Sequence, residues 1–228
     1  MENHERFASL HSQAALSAEK ACQWQDAIGH YLIAGQYVRA HSLIARVGQE
    51  YLKSGKWSMV ARWIEALPEN ARWDDPDLVL LYSQSLIHLG ENGRAAGLLT
   101  KAISQTSEEK DWLFRSMALN WRSAALRITG HFNEARHDIE QAITLLKSHN
   151  SAPDVLGDAY RRLGTICVEQ GQFQIALTQF NRALKLFSSL LDVGQMADVH
   201  NSIGILHKRL GQLGQAVTHF ERAREGWL

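Results

Sequence analysis

The chain has 228 residues, with 24 Lys and Arg against 24 Asp and Glu, so its formal net charge is zero. That excludes the basic excess by which a domain grips nucleic-acid phosphates, and no direct nucleic-acid contact is expected. A composition of 45% hydrophobic and 21% charged residues is that of a folded chain, and two isolated cysteines, Cys22 and Cys167, exclude a disulfide framework.

The thiols point to a reduced, cytoplasmic setting. The opening MENHERFASLHSQ is polar and lacks the apolar core of a signal peptide. No apolar run approaches the ~18 residues of a membrane span. Pro68, Pro76 and Pro153 are the only prolines, each placed where a helix should end or begin. Helix formers dominate between them and β-branched residues never cluster, so the chain reads as all-α.

In chain order, Ala27, Tyr31 and Ala34 lie at helical spacing on a first short helix pair. Gly48, Tyr51 and Gly55 mark the first helix of a second pair, which Val60, Ile64 and Leu67-Pro68 close. Asp75-Pro76 reads as N-cap and N1 of the next helix. Gly90 is followed by Ala95, Leu99 and Ala102. Thr106 with Glu109 fits a capping box before a fourth pair. Gly130 leads to Ala135, Ile139 and Ala142; Gly171 leads to Ala176, Phe180 and Ala183. Asp192 can cap the first helix of a sixth pair, whose Gly211 leads to Ala216, Phe220 and Ala223.

Gly90, Gly130, Gly171 and Gly211 stand 40, 41 and 40 residues apart, and Gly55 precedes Gly90 by 35. Gly164 and Gly204 sit seven residues before Gly171 and Gly211. A fixed period of this size is the mark of a helical repeat array. Physically, a Gly inside the first helix admits its partner closely, and the later Gly supplies a left-handed cap. One such pair cannot bury its own apolar face, so the pairs must stack.

The pattern resembles the tetratricopeptide repeat (TPR). Tyr160, Leu163, Gly164, Gly171, Ala176, Phe180 and Ala183 all fall on its motif. The sixth unit has His200 at the first large position, and the third and fourth have Ser83 and Ser123 at the first Gly slot. The period exceeds the usual ~34 residues of the family by about a turn or two of helix. The resemblance implies a right-handed superhelical α-solenoid of about six antiparallel helix pairs. Residues 1–105 form divergent repeats and residues 106–228 regular ones, as a continuous array.

A narrower resemblance covers residues 10–100. Ala27, Ile28, His30, Leu32, Ala34, Gly35, Trp63, Ile64, Leu67, Pro68, Pro76 and Leu78 match, in order, the helical-repeat region of MalT-like, LuxR-type ATP-dependent transcriptional activators. This implies a regulatory segment that senses an inducer or a partner protein and controls assembly. The switching parts are not found in the chain: "GKW" at 55–57 lacks the Ser or Thr of a Walker A motif, and position 50 is Glu. The end in "FERAREGWL", inside a second helix, points to an array that continues.

No catalytic constellation is expected. His200 and His207 share a helix face, as do His4 and His11, but a metal site needs more convergent ligands. Cys167 falls on a core slot, where a thiol is inert. "DDPD" at 74–77 and "EEKD" at 108–111 sit at helix N-termini, where acidic residues complement the dipole. Trp63 and Trp121 belong to apolar faces, Trp57 and Trp73 flank turns, and Trp227 would face a further repeat.

The functional signal lies on the concave face, which first helices line. Equivalent positions there read Leu80, Asn120, Arg161, Asn201; then Gln84, Ala124, Thr165, Ile205; then Ile87, Arg127, Val168, Lys208. Asn120, Arg127, Arg161, Asn201, Lys208 and Arg209 form a polar, locally basic strip in a neutral protein. Asn can hold a peptide backbone and Arg can fork onto a carboxylate. The expectation is therefore a non-enzymatic sensor without cofactor or metal, binding a protein or peptide partner or a small-molecule inducer. A stand-alone adaptor docking peptide tails is the alternative. An apolar end beyond Trp227 would also permit end-to-end self-association.

Overall fold

A computed structural model describes residues 2–228; the side chains at positions 2–4 and 70 lie outside the described residues, so the His4 side of the His4–His11 pair does too. The described residues form α1 (Glu2–Lys20), α2 (Trp24–Ile33), α3 (Tyr37–Lys53), α4 (Trp57–Glu65), α5 (Glu69–Trp73), α6 (Pro76–His88), α7 (Asn92–Ser104), α8 (Trp112–Ile128), α9 (Phe132–His149), α10 (Pro153–Glu169), α11 (Phe173–Ser189), α12 (Val193–Arg209) and α13 (Leu213–Trp227). All thirteen described elements are α-helices, and the sequence pattern does not announce α5, which has five residues. The chain divides into two compact units, one ending at Ala102 and the other beginning at Ile103.

In the first unit α1 pairs with α2 and α3 with α4, and α6 packs on both α3 and α4. Ala27, Ile28, Tyr31, Ile44, Val60 and Ile64 are sealed in its core. Gly48 makes the α3–α6 contact possible: a Cβ there would stand 2.8 Å from Leu81 Cδ1. Asp75 caps α6 as its sequence suggests, accepting from the Asp77 amide at 2.8 Å with Pro76 at the first turn.

The second unit is the regular one. Its pairs α8/α9, α10/α11 and α12/α13 stack through α9 on α10 and α11 on α12, and α10 touches both α8 and α12. The repeated alanines Ala135, Ala142, Ala176 and Ala183 are completely buried. A Cβ at Gly164 would lie 2.5 Å from the Phe180 ring, and one at Gly204 would lie 2.6 Å from the Phe220 ring. The aromatic therefore occupies the space that the missing side chain leaves. Ser123, at the same slot one repeat earlier, is buried and donates to the Ala135 carbonyl at 2.8 Å. A hydroxyl in that position avoids an unpaired buried donor by bonding across the helix pair.

The turn glycines do what the spacing predicts. Gly171 has φ +73, and the Gln172 amide reaches back to the Cys167 carbonyl at 2.8 Å, closing α10 in a left-handed cap. Asp192 caps α12 by accepting from the Gln195 amide at 3.0 Å. The expected Thr106–Glu109 capping box is not formed. The helix starts later, at Trp112 with Asp111 at its N-cap, and Thr106 donates instead to the Ile103 carbonyl at 2.8 Å. Asp111 folds back to accept from the Ser107 amide at 2.9 Å, so the loop takes the local bonds that a capping box would have used.

Candidate functional site

The site is built on α8, α10 and α12, three consecutive first helices of the second unit. Asn120 and Arg127 stand on α8, Arg161 on α10, and Asn201, Lys208 and Arg209 on α12. The structure brings Asn120, Arg127, Arg161 and Arg209 together around two carboxylates that sequence reasoning missed, and leaves Asn201 and Lys208 apart from them.

Asp158 is the first. Asn120, only 3% exposed, donates from Nδ2 to Asp158 Oδ2 at 3.1 Å. Arg162 donates from Nε to the same oxygen at 2.7 Å, and Arg161 Nη2 bonds Oδ1. Burial alone would raise the Asp158 carboxyl. The guanidinium of Arg162 and then that of Arg161 outweigh it and hold the group well below the usual carboxylate range. The Arg162 guanidinium also lies 4.1 Å from the centroid of Trp121, which is half-buried beneath it and not fully in the core.

Glu169 is the second. Its carboxylate receives Arg209 Nη2 at 2.8 Å from α12, and Arg127 Nη1 from α8 stands 4.0 Å away. Burial lowers the Arg127 pKa, with Glu169 opposing that shift. The expected basic strip is thus an alternating one, with a carboxylate set between cations of neighbouring repeats. The Asn120–Asp158 and Arg209–Glu169 contacts each span about one repeat and fix the register of one pair on the next, while Arg161 and Arg162 hold Asp158 from its own helix.

Two polar atoms of this strip, Asn120 Oδ1 and Arg161 Nε, are buried without a hydrogen-bond partner. Asn201, half-buried, and Lys208, exposed, make no hydrogen bond or ion pair among the described residues. The face therefore carries a closed part, centred on Asp158 and Glu169, and an open part on α12.

The remaining candidates have structural roles. Cys167 is fully buried, and burial pushes its thiol up, away from a nucleophile's range. His200 and His219 place their Nδ1 atoms 3.1 Å apart, and His207 stacks on His219 at 5.5 Å. Burial first, then His200, His207 and Arg222, push His219 down to about 4. No group of three or more His, Cys, Asp or Glu among the described residues is placed to share an ion. Asp75 holds His41 Nε2 at 3.0 Å besides capping α6, and Glu108 pairs with Arg115 at 3.2 Å. Trp63 is buried, Trp57 stacks on His88 at 4.6 Å, and Trp73 lies 5.7 Å from Tyr82.

Spacing held the signal for the missed carboxylates. Asp158 precedes Arg161 by three and Arg162 by four, the positions that meet on a helix. Glu169 precedes Arg209 by 40, one period.

Paired helices with a Phe ring on Gly164 and on Gly204 and a left-handed glycine between the helices of each pair of the second unit define a tetratricopeptide-type solenoid, a protein-interaction fold. The tetratricopeptide repeat family model matches residues 155–227. No curated protein matches the chain. Among solved structures, the chain is similar to the apo form of RapI, at 10% identity over 96% of this chain and 97% of that one, with a TM-score of 0.64. It is similar to MamA at 18% identity over 79% of this chain and 94% of that one, TM-score 0.51. A third likeness is to MamA 41-end from Desulfovibrio magneticus RS-1, at 18% identity over 81% and 93%, TM-score 0.50. These likenesses bear on the fold alone. No described helix is long and apolar enough to cross a membrane.

Proposed function

We propose that the chain is a non-catalytic, effector-sensing and protein-interaction segment of a MalT-like, LuxR-type transcriptional regulator, working in the cytoplasm. A partner segment or an inducer is taken on the face of α8, α10 and α12. The observation that carries this reading is the open part of that face, where Asn201 and Lys208 make no hydrogen bond or ion pair among the described residues. Glu169 ties neighbouring repeats through the charges of Arg127 and Arg209, and Asp158 through Asn120, so a ligand that competes for those partners favours one arrangement of the repeats over another.

The regulator assignment rests on the residue order from Ala27 to Leu78, and the surrounding reading frame tests it. An ATPase module with a Walker A motif upstream and a helix-turn-helix module downstream are expected. A frame that encodes repeats alone turns the reading to a stand-alone adaptor that docks peptide segments on the same face. Self-association through an end of the array is supported by Trp227, Val217 and Leu213, exposed by 54%, 54% and 65% on α13. Sedimentation at rising concentration should show a growing mean mass; a constant monomer mass would remove that part.

A further inference from the structure

The other face of α10 carries a second opening. Pro153, Leu156 and Tyr160 follow one another at helical spacing, about half a turn from Asp158, Arg161 and Arg162. They wall a cleft of about 770 Å³ whose sides come from the end of α9 and the end of α11. Three cations line it: Lys147 from α9, and Arg182 and Lys185 from α11. No carboxylate lines it, and Asp154, in the first turn of α10, stays outside the lining. Leu146, Leu156 and Leu186 supply apolar wall between the charges.

Tyr160 is 8% exposed, with its ring packed in the core of the unit. Among the described residues its hydroxyl makes no hydrogen bond, yet it is not one of the sealed-off atoms, and Tyr160 lines the cleft. Arg182 lies 5.5 Å over the same ring and donates to Gln179 Oε1 at 3.2 Å. Lys147 and Lys185 are exposed and make no ion pair among the described residues. At the mouth, α10 begins at Pro153 behind Ala152, which has φ +52 and no side chain to cap the first-turn amides. The positive end of the helix therefore adds to the three cations.

The repeat architecture does not require this charge. One period earlier, Gln141 and Thr144 stand where Arg182 and Lys185 stand here; one period later, Arg182 recurs as Arg222 but Lys185 gives way to Glu225. The basic set belongs to the fifth repeat alone.

We infer that the Lys147–Tyr160–Arg182–Lys185 cleft is a second docking site, which takes an acidic peptide segment of a partner protein with carboxylates on either side of a Leu or Phe. The carboxylates meet the cations and the tyrosine hydroxyl, and the apolar side chain covers Leu156 and Leu186. A ligand that was anionic only would leave that wall uncovered. The site is separate from the face of α8, α10 and α12, and so is its test.

Random peptides displayed on phage are selected on the whole chain, and the selected peptides are titrated by fluorescence anisotropy against wild type and the Arg182→Glu/Lys185→Glu variant. Both substituted side chains are exposed, and circular dichroism checks that the fold is kept. The expected result is a set of peptides rich in Asp and Glu around Leu or Phe. Their affinity should fall by about tenfold or more in the charge-reversed variant and by less in Tyr160→Phe. Peptides without acidic bias, an absence of selected peptides, or equal affinity for the variant would overturn the inference. So would displacement of the peptides by inorganic phosphate at equal concentration, since the site would then read charge alone. Peptides that depend on Asn201 and Lys208 and ignore Arg182 and Lys185 would overturn the cleft while leaving the first face intact.

Discussion

Asn120 on α8 donates to Asp158 on α10 at 3.1 Å, across 38 residues of sequence. The residue best suited to hold a peptide backbone is therefore already holding the next repeat. Its donor sets register, and its carbonyl oxygen is sealed in without a partner; what stays open on this face is Asn201 and Lys208 on α12. That division between closed and open polar groups organises the predictions.

Asp158 is held by two arginines and Asn120, with its side chain 19% exposed. Asp158→Asn leaves two guanidinium groups facing one another and should cost about 3 kcal/mol at neutral pH. Asn120→Ala should cost about 2 kcal/mol, since it removes one bond to a charged acceptor. The native carboxyl titrates below its unfolded value of 3.8. Its contribution is thus full above that value and is lost as pH falls below it toward the folded value. Urea unfolding across acid pH should show wild type and Asp158→Asn converging. A constant difference at all pH values would contradict the ion-pair account.

Gly164→Ala sets two effects against each other. Alanine gains up to about 1 kcal/mol of helix propensity over glycine. Its Cβ would meet the Phe180 ring at 2.5 Å in a fully buried position, and overpacking of this kind costs about 1–3 kcal/mol. The clash should win, giving a net loss of about 1–2 kcal/mol. The same change in a Phe180→Leu background should be neutral or stabilising. Thermal melts of the four variants decide it.

Tyr82 in the first unit donates to Glu65 Oε1 at 2.6 Å. Burial first, then that bond, push its phenol up to about 12 from 10.0. The folded state therefore keeps the proton after the unfolded chain has lost it. Stability is full below pH 10 and declines as pH rises from about 10 to about 12. Tyr82→Phe should remove that alkaline decline, as read from denaturant midpoints in the two proteins.

His219 works in the opposite direction at acid pH. Its value of about 4 lies below the ordinary 6.5, so the folded state prefers the neutral ring. Stability is present above 6.5 and is lost as pH falls from there to about 4. His219→Asn should be less sensitive over that window. An unchanged profile would show that the His200–His219 contact is indifferent to charge.

Much of the fold was legible because it depends on small residues at fixed spacing. Gly164, Gly171, Ala176, Phe180 and Ala183 each have one physical task, and the sequence repeats them. Asp75 and Asp192 were legible as caps because a cap needs a short acceptor just before a helix. Thr106 was misleading for the same reason: its motif was right, but the loop after α7 found other partners for the same groups. The short α5 has no periodicity to read. At the site, the sequence picked out a row of cations and amides on the first helices and missed the carboxylates set among them. Asp158 sits among cations of its own helix and Glu169 between cations of neighbouring repeats, and pairing across repeats is visible only when the period is applied to acids as well as bases. The cleft at Tyr160 was missed because its cations come from α9 and α11, while the ladder was drawn along first helices only.

The most direct test of the recognition face uses peptides selected on the chain and titrated against the Asn201→Ala/Lys208→Glu variant, which leaves Asp158 and Glu169 untouched. A subset of peptides should lose about tenfold or more in affinity with the melting temperature unchanged. If every selected peptide binds that variant as tightly as wild type, the face of α8, α10 and α12 is a register device and not a binding surface.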